Sequence, residues 1–254
     1  MTYQKELKTA LKAAKAAGKV QLKGLSQLKK IEFKEDHSPV TVIDRQCEDI
    51  IRGTILKAFP DDGFLGEESG YLEGKSGRRW IVDPLDGTRP YLRGIPTFSV
   101  LIALEDKDRF IVGVMYFPAL KETYFATEGS GAFLNDRPIH VSRTDKLNKV
   151  MGTSQGFVEK ADTDEGKKLF ELMKKWDYNY GFMDAYSYAS LAAGRLDLAV
   201  NLIDKPWDCA AAACVISEAG GQYSDIAGKQ TIYEGSIVFS NGKLHQDALA
   251  QLAS

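Results

Sequence analysis

Two stretches of this 254-residue chain concentrate groups able to do acid, metal and phosphate chemistry. The first is Gly66-Glu67-Glu68-Ser69, two carboxylates in a glycine-flanked turn. The second is Trp80-Ile81-Val82-Asp83-Pro84-Leu85-Asp86-Gly87-Thr88, an apolar strand ending on two aspartates before a Gly-Thr step that can open a helix. Unpaired buried carboxylates are strongly disfavoured, so a buried strand that ends this way calls for a cation. Hard divalent ions such as Mg²⁺ take oxygens from carboxylates and backbone carbonyls, and keep positions open for water and phosphate. At a helix start, free N–H groups and the macrodipole attract anions; Gly87 lets a phosphate approach and Thr88 adds a hydroxyl. Carboxylates for metals beside an amide nest form a phosphoryl-transfer arrangement. Singly, each aspartate has a plainer explanation, Asp86 as a helix cap and Asp83 as an ion-pair partner of Arg79. Together, beside Glu67-Glu68, they favour the metal.

A third element is Lys205-Pro206-Trp207-Asp208-Cys209, followed by an alanine-rich helix that ends at Gly220-Gly221. Asp208 sits at the cap of that helix. The small residues Ala210 to Ala213 allow close packing that would bring it near a neighbouring strand end. Asp44, after Ser38-Pro39-Val40-Thr41, has the same double reading of helix cap or site residue. Several mechanisms fall away. Asp83 and Asp86 are three apart, not the D-x-D of aspartyl-phosphate enzymes, and no Walker loop is present. The residues six places after Cys47, Cys209 and Cys214 are Gly53, Val215 and Gly220, where a cysteine phosphatase needs arginine. His37, His140 and His245 are too scattered for a zinc site.

The elements that must position these groups follow from periodicity. Leu7, Leu11 and Ala14 recur at helical spacing in a lysine-rich helix over 2–30, and a second helix is expected over 44–59. Residues 1–34 hold nine lysines and two glutamates. Such a basic amphipathic helix can serve a membrane or an acidic partner, but without bulky aromatic anchors it reads as a solvated face. Strand patterns at 79–82, 97–104, 110–117 and 122–127, joined by short turns, predict a largely antiparallel sheet. Beyond them, helices at 162–176, 185–193 and 208–219 alternate with strands at 196–201 and 236–240. That order reads as an α/β or α+β sandwich, with a sub-domain division near 140–150 inside a single domain spanning 1–254.

Composition bounds the rest. With 44% hydrophobic and 27% charged residues the chain is an ordinary globular protein. Lysine and arginine number 33 against 35 acids, so no basic field exists to hold nucleic acid. Three cysteines make no disulfide framework and suit a reducing cytoplasm. The strongly apolar run at 98–104 is far short of a membrane span, and the N-terminus lacks the apolar core of a signal peptide.

Taken together, the GEES and DPLDGT stretches with WD and EAGG downstream resemble the inositol monophosphatase superfamily of Mg²⁺-dependent, Li⁺-sensitive phosphatases. The resemblance runs from Lys34 to Ser240-Asn241-Gly242. It implies an αβαβα sandwich, homodimeric, with two or three Mg²⁺ ions and inhibition by Li⁺. Glu67, Asp83, the Leu85 carbonyl, Asp86 and Asp208 match its metal ligands. Gly87 and Thr88 match its phosphate site. Glu68, Thr88 and Asp44 match positions that hold or activate the attacking water, and Lys34 matches a basic residue on a mobile loop.

Within the superfamily the chain is most similar to the histidinol-phosphate phosphatases. The likeness lies in Asp86-Gly87-Thr88-Arg89-Pro90-Tyr91-Leu92-Arg93-Gly94-Ile95-Pro96-Thr97, in Asp184-Ala185-Tyr186-Ser187-Tyr188 and in Ala193-Gly194-Arg195-Leu196-Asp197. It places Asp184 and Arg195 in the alcohol pocket, where an aspartate suits a cationic amino alcohol such as histidinol. Two departures fall on that side. Asn201 stands where a glutamate is common, and Met183 replaces a glycine.

The expected activity is hydrolysis of a small phosphate monoester by metal-activated water, with L-histidinol phosphate the leading substrate. Inositol 1-phosphate or a broader set of sugar and nucleotide phosphates are the alternatives. Two different classes remain beside it. A metal-free carboxylate hydrolase would leave Thr88 and the amide nest without a task. A non-catalytic scaffold would bind without turnover.

Overall fold

The computed structural model describes residues 3–25, 32–33, 39–40, 42–181 and 184–253. Layering begins with α1 (Gln4–Gly24) and, after a two-strand pair of β1 (Glu32–Phe33) with β2 (Pro39–Val40), α2 (Val42–Ala58). Small residues Ala10, Ala14, Ala17 and Gly18 recur along one buried face of α1, while its lysines from Lys5 to Lys23 are exposed. The helix therefore inserts its alanine stripe against the fold and solvates its charge, which is the plainer of the two readings of its sequence.

Beneath α1 and α2 lies an eight-stranded sheet. Its strands are β3 (Gly63–Gly66), β4 (Gly70–Leu72), β5 (Arg78–Asp86), β6 (Ser99–Asp106), β7 (Arg109–Phe117), β8 (Glu122–Thr127), β9 (Ala132–Leu134) and β10 (Arg137–Ile139), with α3 (Thr88–Leu92) after β5. The spatial order is β10-β9-β8-β7-β6-β5-β3-β4. Every pairing is antiparallel except β3 on β5. Side chains alternate as a pleated strand requires. Trp80 and Val82 enter the core under α1 and α2, and Ile81 enters the core on the opposite face.

That opposite face carries α5 (Asp184–Ala192) and α6 (Pro206–Glu218), and beyond them a second sheet. Its strands β11 (Met151–Gln155), β12 (Tyr178–Tyr180), β13 (Leu198–Asn201), β14 (Gln222–Ser224) and β15 (Ile237–Ser240) are ordered β12-β11-β13-β15-β14. Its outer face packs on α4 (Asp164–Met173) and α7 (His245–Ala253) through Leu169, Leu198, Val200 and Leu252. The result is a five-layer αβαβα sandwich. Thr163 caps α4 by accepting from the Gly166 N–H at 3.2 Å.

Central α6 explains its own composition. Cys209 to Ile216 are buried without interruption, so the helix needs apolar residues all round, and alanines keep it thin between two sheets. Closest approach is at Gly113 on β7, where an added Cβ would stand 2.6 Å from the Ala211 carbonyl oxygen. Gly113→Ala should therefore push α6 off the sheet at a loss of about 1–3 kcal/mol. A fall in melting temperature is the expected result; an unchanged one would show that the helix moves freely.

Candidate active site

The site is made where β5 loses its regularity. Asp83 pairs with Leu101 of β6 and Asp86 with Ser99, so three steps on β5 match two on its neighbour. In a regular strand residues three apart face opposite sides of the sheet. One extra residue at Pro84-Leu85 puts both aspartates on the side facing α5 and α6. Pro84, which lacks an N–H, suits a position released from the ladder. Asp83 Oδ1 accepts the Leu85 N–H at 2.9 Å, closing the bulge on itself.

Sequence reasoning missed what holds this bulge from behind. Gln21, buried on α1, donates through Nε2 to the Pro84 carbonyl at 2.8 Å and the Ser99 carbonyl at 3.0 Å. Its backbone carbonyl accepts the Tyr91 hydroxyl at 2.7 Å. One residue thus ties the bulge to α3. The signal was a glutamine on a stripe otherwise made of alanine, glycine and leucine.

Asp208 arrives from α6. The helix begins at Pro206, so Asp208 is its third residue, not its cap, and reaches back to accept the Lys205 N–H at 2.9 Å. Carboxylate oxygens of Asp83, Asp86 and Asp208 all lie within 4.8 Å of one another. Asp86 Oδ2 accepts the Ser99 hydroxyl at 2.9 Å and the Ala185 N–H at 3.3 Å. Arg79, the plainer partner for Asp83, is engaged elsewhere, 2.5 Å from Glu105.

Burial raises all three carboxyls, and neighbouring acids raise them further. Glu67, Asp86 and Asp208 act on Asp83; Asp184 and Asp208 act on Asp86. Both stand well above the usual carboxylate range. Asp208 is pushed up to about 7 by burial and by Asp204. The charges acting on these three are carboxylates, a donor set that calls for a divalent cation rather than a side-chain partner. The group fits.

Glu67 lines the same cavity and its N–H donates to the Val82 carbonyl at 3.2 Å. Glu68 stands on the adjoining turn and is absent from the cavity wall. The turn is held by Glu48 of α2, a second residue sequence reasoning missed. Its carboxylate accepts the Glu68 N–H at 2.8 Å and the Ser69 N–H at 2.7 Å. A Cβ on Gly66 would stand 2.5 Å from that carboxylate, so the motif opens with glycine.

Gly87, in the left-handed region at φ 75°, precedes α3. Tyr91 N–H makes the first helical bond, to the Gly87 carbonyl at 2.9 Å. The amides ahead of it belong to the unsatisfied first turn. Thr88 Oγ1 lies 3.1 Å from the Leu85 carbonyl and 3.3 Å from Oδ1 of buried Asp44. Asp44 thus reaches the cavity through Thr88.

Asp184 lines the cavity beside Gly87, with its carboxyl raised by burial and partly offset by Arg89. Asn201 is in the wall but almost fully buried. Arg195 corrects an expectation. It does not line the cavity; its guanidinium donates to the hydroxyls of Tyr124 at 3.0 Å and Tyr186 at 3.1 Å, and lies 3.5 Å from Glu122. Lys34 and Met183 lie outside the described residues. The cavity, about 260 Å³, has room for a small ester.

This frame and its acid-lined cleft are those of a phosphatase. Residues 2–254 match the model of the inositol monophosphatase family, and the chain belongs to that family. It is 38% identical over 253 residues to the histidinol-phosphatase of Chlorobaculum parvum, covering 98% of this chain and 97% of the relative. It is 37% identical over 251 residues to the inositol-1-monophosphatase of Mesorhizobium japonicum, covering 96% and 94%. The extragenic suppressor protein SuhB of Bartonella henselae superposes with a TM-score of 0.89 at 32% identity, covering 98% of each chain. The chain is accordingly a phosphoric monoester hydrolase.

Two predictions follow from the acid cluster and its support. Carboxyls raised in the fold bind protons that the unfolded chain has released, so their contribution to stability falls as pH rises above about 4, for Asp208 through about 7. His245, held neutral by burial between Ser240 and Ser224, acts oppositely below about pH 6.5. In EDTA the protein should therefore melt lower at pH 8 than at pH 6, and millimolar Mg²⁺ should close that gap. A gap that Asp208→Asn leaves intact would remove the cluster as its source. Gln21→Leu should take this donor from the Pro84 carbonyl of the bulge and the Ser99 carbonyl beside it, and raise the Mg²⁺ concentration for half-maximal thermal stabilisation about tenfold. An unchanged midpoint would make Gln21 a packing residue only.

Proposed function

We propose that this enzyme hydrolyses small phosphate monoesters with Mg²⁺, and that L-histidinol phosphate is its preferred substrate. The observation that carries the reading is the three mutually repelling carboxylates of Asp83, Asp86 and Asp208 beside the Gly87-Thr88 helix start. Glu67 and the Leu85 carbonyl complete the donor set. When bound, divalent cations supply positive charge to the phosphate and leaving oxygens and lower the pKa of water.

The remaining work falls to the chain. Amides of Gly87 and Thr88 hold phosphate oxygens at the cavity floor. Thr88 passes its hydroxyl proton toward Asp44 and offers a lone pair to the attacking water. Glu68, on the adjoining turn and outside the cavity wall, would take up a proton from that water through one bridging water. All three cysteines are buried, and burial raises each thiol, so water rather than a thiolate is the nucleophile. Asp184 on the wall would pair with the ammonium of histidinol.

Li⁺ inhibition, a homodimer and a cytoplasmic location belong to the same reading, as does one phosphatase domain with halves dividing near residue 145. No helix among the described residues is long and apolar enough to cross a membrane.

Phosphate release from L-histidinol phosphate and myo-inositol 1-phosphate, with Mg²⁺ and with EDTA, tests the reading. Turnover should need Mg²⁺, favour histidinol phosphate and fall at least about a hundredfold in Asp86→Asn. Equal or greater turnover of inositol phosphate would overturn the substrate, and turnover in EDTA would overturn the chemistry.

A further inference from the structure

The wall opposite the carboxylates is built at the ends of β11 and β13, which run parallel with Gln155 facing Asn201. Asn201 is fully committed. Its Oδ1 accepts the Ile203 N–H at 3.0 Å, and its Nδ2 donates to Asp204 Oδ1 and lies 2.8 Å from Gln155 Oε1 and 3.3 Å from the Tyr188 hydroxyl. Asp204 is itself buried, accepting the Tyr188 hydroxyl and, at 3.1 Å, the Cys209 thiol.

These partners leave no freedom to turn the amides over. A backbone N–H only donates and a carboxylate receiving a hydroxyl and a thiol accepts, so Asn201 must point its oxygen at Ile203 and its nitrogen at Asp204. Of the two acceptors left for the second Nδ2 hydrogen, Gln155 at 2.8 Å is nearer than the Tyr188 hydroxyl at 3.3 Å, and at that distance Gln155 must answer with its oxygen, since two amide nitrogens would clash. Gln155 is half-buried and lines the cavity, while Asn201 and Asp204 are the buried support behind it. With Oε1 turned to Asn201, the Nε2 end is the one left for the cavity.

We infer that Gln155 is a specificity-determining residue, its Nε2 donating to a hydrogen-bond acceptor on the leaving alcohol, and that Asn201 and Asp204 are its positioning residues. The substrate class is a phosphate ester whose alcohol carries an acceptor atom, such as a ring nitrogen or a hydroxyl oxygen. This rests on the cavity being the ester site.

The test compares matched esters that differ in the acceptor: L-histidinol phosphate against L-phenylalaninol phosphate, and myo-inositol 1-phosphate against cyclohexyl phosphate. In the wild type with Mg²⁺, kcat/KM should favour the acceptor-bearing member of at least one pair. Gln155→Leu should cut that ratio about tenfold, the order of one lost hydrogen bond. Gln155→Glu keeps the bond to Asn201 but replaces the donor by an acceptor, and should cut the ratio at least as far. A ratio that both variants leave in place overturns the inference while the phosphatase reading stands. A wild type that hydrolyses none of the four esters overturns that reading and this inference with it.

Discussion

Asp83, Asp86 and Asp208 bring carboxylate oxygens within 4.8 Å of one another, and the rest of the molecule is arranged around keeping them there. Like charges at that separation in a poorly hydrated cleft repel, and burial first, with neighbouring carboxylates second, holds all three carboxyls above their usual range. The repulsion is also what makes the cleft selective for multiply charged cations. A site assembled from neutral ligands would fold with less strain but would hold a divalent ion less tightly.

Such a cluster persists only if each member is fixed by something other than the cluster. The bulge at Pro84-Leu85 is anchored by Gln21 from one side and by the Asx-type bond of Asp83 from the other. Asp86 is held by Ser99 and by the first amide bond into α5. Asp208 is held by the capping bond to Lys205 and by an alanine-rich helix pressed against Gly113. Glu67 rides on a turn whose amides are bound by Glu48. Elements far apart in sequence therefore meet at one point. Removal of any of these supports should act through cation binding before it acts on chemistry.

Much of the catalytic half was legible because its signals are local. Asp83-Pro84-Leu85-Asp86-Gly87-Thr88 encodes a bulge and a helix start within six residues, and short-range geometry makes them. The main helices and the antiparallel strands were read from period and turn residues, and their cores match. What escaped depends on packing. Nothing near Gln21 announces a contact with Pro84, 63 positions away. Arg195 offered a charge to a pocket, yet three-dimensional neighbours Tyr124, Tyr186 and Glu122 claim it. The edge strands of both sheets, β4, β10, β12 and β14, and β9 beside one of them, are three-residue strands too short for an alternation signal. Asp208 is three positions inside the cap because Pro206 at the first helical position, not the aspartate, marks the start.

The division of labour between the two sheets follows from chemistry common to all phosphate monoesters. Charge on the phosphate and on the leaving oxygen is the same whatever alcohol departs, so the carboxylates at the end of β5 cannot choose among alcohols. Choice must come from groups beyond the leaving oxygen, which here stand on α5 and on the ends of β11 and β13. There the ordering principle changes from repulsion to saturation. Asp204, Tyr188, Cys209 and Asn201 bond one another in a buried network, and several mutually bonded groups fix orientation better than any single contact. A wall so determined can be altered at Gln155 without touching the acids, so substrate preference in this fold can change while the hydrolytic apparatus stays as it is.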